Sequence, residues 1–113
     1  MRSTALVFVV VLLGAPGSNA QVMLHDPPWN PEHIDSLPPE IRKAVLGMCP
    51  TTPAAGHYFA TYRHDRVTLH FEHFHCGEAP NTYCRGGLCL HQVYVSNGGH
   101  YRLLGSSYGP AND

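Results

Sequence analysis

From Val67 to Glu72 apolar and polar residues alternate. Val67, Leu69 and Phe71 fall on one side of an extended chain, and Thr68, His70 and Glu72 fall on the other. A half-buried strand is the expected result. Phe74 then has the wrong parity, so a bulge near Glu72-His73 is expected to return it to the core. Earlier in the chain the period changes. Leu37, Ile41, Ala44, Val45 and Met48 recur at steps of three and four, which predicts a helix over Ser36–Cys49. Ser36 is placed to cap it, Pro38 and Pro39 are tolerable in the first turn, and Pro50 stops it.

Further strand-forming runs are His57–Arg63, Leu88–Ser96 and His100–Leu104. His64-Asp65 is the turn expected to fold one pair into a hairpin, and Asn97-Gly98 begins the turn expected to fold the other. Thr51–Gly56 and Gly77–Gly87 read as connectors. Gln21–Asp35, with three prolines, reads as an extended arm anchored by Trp29, and Gly109–Asp113 reads as a fraying tail. The expected fold class is α+β: a small single-layer antiparallel sheet of about four strands with one N-terminal helix packed on it.

Composition adds a compartment to this pattern. Arg2, the apolar run Ala5–Leu13 and the small residues Ser18-Asn19-Ala20 make residues 1–20 an expected signal peptide, leaving residues 21–113 as one small domain. A secreted or periplasmic location follows, and in an oxidising space the four cysteines are expected as two disulfides. Cys49 ends the helix and Cys76 ends the central strand, while Cys84 and Cys89 enclose Gly86-Gly87. The expected pairs are therefore Cys49 with Cys76 and Cys84 with Cys89. A tetrathiolate metal site is disfavoured, because the cysteine spacings contain no CxxC.

Charge excludes one class of partner. Without Arg2, six basic side chains face eight acidic ones, so no overall basic character points to nucleic acid. The apolar run is too short to span a bilayer, and the domain is not expected to be an integral membrane protein. Nine histidines would make the same domain cationic on acidification.

Those histidines carry the candidate chemistry. His70, His73, His75, His91 and His100 lie on or beside expected strands. His73 and His75, two residues apart, could share an ion with His91 from a neighbouring strand, and zinc, copper or nickel suits imidazole nitrogen. Glu72 is close but points away from that pair in a regular strand. No other cofactor is expected. Neither a nucleophile with a base beside it, nor HExxH, nor a phosphate-binding glycine loop is present, so an enzyme is not expected. Two functions remain. The first is an exported, non-enzymatic binding or structural domain contacting a protein or envelope component through its sheet face or the aromatic loop around Tyr83, with Trp29, Tyr94 and Tyr101 as further contacts. The second is transition-metal binding through His73, His75 and His91.

Overall fold

The helical period at Ile41 and Val45 forms the expected helix, over a shorter span. The computed structural model describes residues 27–78 and 80–111; the expected signal peptide and the chain start at Gln21 lie outside the described residues. Pro31 opens a four-residue helix α1, Glu32–Asp35, where an extended arm was expected. A proline in the first turn removes an amide that has no helical partner anyway. Asn30 Oδ1 accepts from the Glu32 amide at 3.0 Å, and Ile34 is buried. Ser36 ends α1 instead of capping the next helix: its amide donates to Glu32 O at 3.0 Å. Helix α2 covers Pro39–Leu46, follows Pro38 without a side-chain cap, and buries Ile41 and Val45. The Met48 amide then donates to Val45 O, a tighter turn that ends the helix early and still brings Cys49 into the core.

Among the described residues seven strands follow, in two sheets. They are β1 (Pro53–Ala55), β2 (Ala60–Arg63), β3 (Arg66–His70), β4 (Phe74–Cys76), β5 (Cys84–Arg85), β6 (Leu88–Asn97) and β7 (His100–Pro110). All pairings are antiparallel. The single sheet of about four strands was thus an underestimate. Its main error is Thr51–Gly56: Pro53–Ala55 has little strand character of its own and becomes β1 by pairing with β4, Pro53 opposite Cys76 and Ala55 opposite Phe74.

The larger sheet has β6 at its centre, with β3 and the short β5 along one edge and β7 along the other. The β2–β3 turn is His64-Asp65 as expected, and His64 adopts a positive φ of 56° there. The β6–β7 turn begins at Asn97-Gly98 as expected. Asn97 pairs with His100, and Gly98 and Gly99 supply the two positive φ values. β7 runs beyond Leu104 to Pro110, because Gly109 and Pro110 sit opposite Cys89 and Leu88. The expected fraying of Gly109 and Pro110 does not occur.

Val67, Leu69, Leu90 and Tyr94 line one face of this sheet and share a core with Ile34, Leu37, Ile41, Val45, Phe59, Phe71 and Phe74. Phe59, Phe71 and Phe74 make the centre, with ring centroids 5.1–5.6 Å apart. Each such side chain, fully buried, contributes about 1.5–3 kcal/mol. A 3-10 turn at Phe71–His73, not a bulge, resets the parity and brings Phe74 inward. Both expected disulfides are present, Cys49–Cys76 between the helix end and β4 and Cys84–Cys89 between β5 and β6.

Loop-closure entropy makes the two bonds unequal. Replacing Cys49 and Cys76 by Ser should cost about 3.5 kcal/mol of unfolding free energy and replacing Cys84 and Cys89 about 2 kcal/mol, as read by urea denaturation. A second expected outcome concerns the contact of α2 with β7. His100 Nδ1 lies 2.9 Å from Glu40 Oε2, and this contact, Glu40's own amide and that of Tyr101 hold the Glu40 carboxyl below its ordinary value. A depressed carboxyl stabilises the fold above its unfolded-state pKa and ceases to do so as pH falls through its folded value. Glu40→Gln should therefore lower the thermal midpoint at pH 7, and the gap to the wild type should narrow as the scans move below the ordinary carboxylate range.

Candidate metal centre

Strand register decides which imidazoles meet. Antiparallel pairing sets His70 of β3 opposite His91 of β6, on the face turned away from Val67 and Leu69. The two rings stand edge to face with centroids 5.2 Å apart. Glu72, in the 3-10 turn, reaches the same place: its Oε1 lies 3.0 Å from His91 Nε2. One ligand atom from each of His70, Glu72 and His91 can be chosen so that all three lie within 4.8 Å of one another. Zinc bonds of about 2.0–2.1 Å in a tetrahedron require ligand atoms about 3.3 Å apart. The His91–Glu72 edge, at 3.0 Å, already meets that spacing, and His70 stands within 4.8 Å of both.

Each side chain is held by its neighbours. The Glu72 side chain is only 6 % exposed and that of His91 18 %. A carboxylate so far from water needs a cationic or hydrogen-bonding partner, and the imidazole of His91 is one. The Nδ1 edge of His91 packs over Gly109, where a Cβ would stand 3.1 Å from Nδ1. Glycine at this register position gives the ring its space. His70 Nε2 lies 3.0 Å from Thr61 Oγ1 on β2. Burial pushes the His70 pKa down, the Glu72 charge opposes that, and His91 and His73 add to the lowering. His70 is therefore neutral at pH 7, the form whose lone pair can bind a metal.

The turn that carries Glu72 is fixed from outside. Asn81 Nδ2 donates to Phe71 O at 2.7 Å and to Phe74 O at 3.2 Å, and its Oδ1 accepts from the Tyr83 amide at 2.9 Å. One side chain thus satisfies both carbonyls that flank the break between β3 and β4.

Of His73, His75 and His91, only His91 enters this cluster. The 3-10 turn ends at His73, so His73 and His75 do not lie two apart on one continuous strand. His73 sits beside Gly56 and Tyr58, and His75 stacks on Trp29 with centroids 5.0 Å apart. Glu72, which points away from His73 and His75 in a regular strand, is the donor that takes their place. Alternation already places it on the same face as His70; only the identity of the strand opposite was missing. His100 is spent on Glu40.

The aromatic candidates are mostly committed to packing. Tyr94 is buried, Tyr83 packs on Phe71 and Phe74 and donates to Met48 O at 2.7 Å, and Tyr101 lies half-buried against the core. Trp29, 43 % exposed, is the one that keeps a large open surface. A cleft of about 310 Å³ lies between Met48, Cys76 and Tyr83, and Glu78 is the only carboxylate or imidazole in its lining. No described helix is long and apolar enough to cross a membrane. Comparison with family models, curated proteins and solved structures finds no match.

Asn81→Ala removes the donor shared by two partly buried carbonyls, which should cost about 1–3 kcal/mol in chemical denaturation. The same variant should shift the histidine ring resonances of His91 in NMR spectra, because the turn holding Glu72 loosens with it.

Proposed function

We propose that this chain is an exported, non-enzymatic domain that binds a divalent transition-metal ion between His70, Glu72 and His91. The observation that carries the proposal is the approach of these three donors to within 4.8 Å of one another, two from the end of β3 and the turn after it and one from β6. Two imidazole nitrogens and a carboxylate oxygen suit zinc, copper(II) or nickel, and disfavour calcium and magnesium, which prefer oxygen alone. Export is consistent with both cysteine pairs being oxidised, a state typical of proteins in oxidising compartments. Thr61 and Gly109 have the supporting roles that outer neighbours take around a metal, anchoring one ring and giving room to the other.

Titration of the purified, oxidised protein with zinc, followed by calorimetry, is expected to give one saturable site. Binding should raise the thermal midpoint, since an ion at 100 times its Kd stabilises by about 2.7 kcal/mol. His70→Ala, Glu72→Gln and His91→Ala should each weaken binding by about 100-fold or more, and Gly109→Ala by about 10-fold. The double variant His73→Ala, His75→Ala should bind as the wild type does. Loss of binding in that double variant, with retention in His70→Ala, would move the site to the other histidines; no binding in any form would end the metal proposal.

A further inference from the structure

The face of the sheet that carries His70 and His91 also carries a line of arginines. Directly paired residues share a face, and Arg63 pairs with Arg66, Arg66 with Val95, and Val95 with Arg102. Three guanidinium groups thus stand in one row across β2, β3 and β7, with Val95 the only interruption. All three residues are exposed. Among the described residues, none of the three guanidinium groups makes an ion pair or hydrogen bond, although Asp65 lies in the turn between two of them. Adjacent strands lie about 4.8 Å apart, so the row extends over about 14 Å. Arg63 directly opposite Arg66 is a like-charge pair that lowers stability in the free protein.

The next row on this face is Thr61, Thr68, Val93 and Gly105, about 6.8 Å along the strands. It offers two hydroxyl groups and, at Gly105, no side chain at all. Neither row contains an aromatic ring on which a nucleic-acid base could stack. Leu104, 47 % exposed, stands at the register shift between the two rows, but a single leucine makes no apolar patch for insertion into a lipid surface. What remains is a shallow, straight track of fixed positive charge beside hydroxyl groups.

We propose that this face docks a linear sulfated polysaccharide, its sulfates along Arg63, Arg66 and Arg102 and its sugar hydroxyls over Thr61 and Thr68. Guanidinium forks match the oxygens of a sulfate in pairs. A straight row fits an extended chain, whereas a single small anion would need converging donors. A bound sulfate between Arg63 and Arg66 also relieves the repulsion that the free protein carries. Arg63, Arg66 and Arg102, which carry the proposal, lie outside the His70, Glu72 and His91 cluster; Thr61 alone is shared, its hydroxyl 3.0 Å from His70 Nε2.

The test uses heparin oligosaccharides as the probe, with the purified, oxidised protein and calorimetry over a range of salt concentrations. Binding is expected to weaken as salt rises. Arg63→Gln, Arg66→Gln and Arg102→Gln should each reduce affinity about tenfold, and the triple variant should abolish binding. Arg63→Gln should melt no lower than the wild type, because it removes a like-charge pair; this also shows that weaker binding is not loss of fold. Lys43→Gln with Arg85→Gln, which removes two cations outside the row, should bind normally, as should His91→Ala. Absence of heparin binding at low salt, equal binding by the triple variant, or equal binding of desulfated heparin would overturn the proposal. Preference for polyphosphate or for phosphatidylglycerol vesicles over heparin would overturn the assignment to a sulfated sugar.

Discussion

Asn81 donating to the carbonyls of Phe71 and Phe74 holds open a break in the central strand, and the inside and the outside of the domain both depend on that break. Alternation serves Val67, Leu69 and Phe71 on the buried face, but it would leave Phe74 outside. The 3-10 turn inserts a change of parity, so Phe74 joins Phe59 and Phe71 in the aromatic centre of the core. It also lets β4 leave the larger sheet and pair with β1. Cys76 then sits where Cys49, carried inward by the end of α2, can be joined to it. Without the turn there is one sheet and no seat for the long disulfide.

What could be read along the chain follows from how local each cause is. Ile41 and Val45 announce a helix, Val67 and Leu69 announce a strand, and the cysteines at the ends of those elements suggest the bond between them. These signals are local, and the buried positions agree with them. Pro53–Ala55 has no local signal, because three small or cyclic residues form a strand only when Phe74–Cys76 lies alongside. Gly109 and Pro110 belong to β7 for the same reason: their partners are Cys89 and Leu88, about twenty residues earlier. Pro31 misled in the opposite sense, since a proline forbids the interior of a helix but not its first turn.

The candidate site divides in the same way. Alternation put His70 and Glu72 on one face of the expected strand from Val67, and composition marked His91 as a residue of interest. Joining them required the β3–β6 register, which comes from the whole hydrophobic pattern of two strands and not from any pair of histidines. The arginine row was hidden for a related reason. Arg63 and Arg66 are close in sequence, but Arg102 enters the row only through Val95, so a chain with no net basic excess still presents a basic track.

Register is therefore shared by packing and by chemistry. Sliding β3 by one residue against β6 would exchange its faces, turning Arg66, Thr68 and His70 toward the apolar core and leaving Val67 and Leu69 in water. The apolar face makes that slip prohibitive, because it would remove two fully buried aliphatic side chains and bury a guanidinium. The polar face inherits the protection without contributing to it. This is how a domain so small can carry opposed arginines and a nearly buried carboxylate on one side of its sheet: the cost is local, while the force that sets their positions acts from the other side and is reinforced by two covalent bonds.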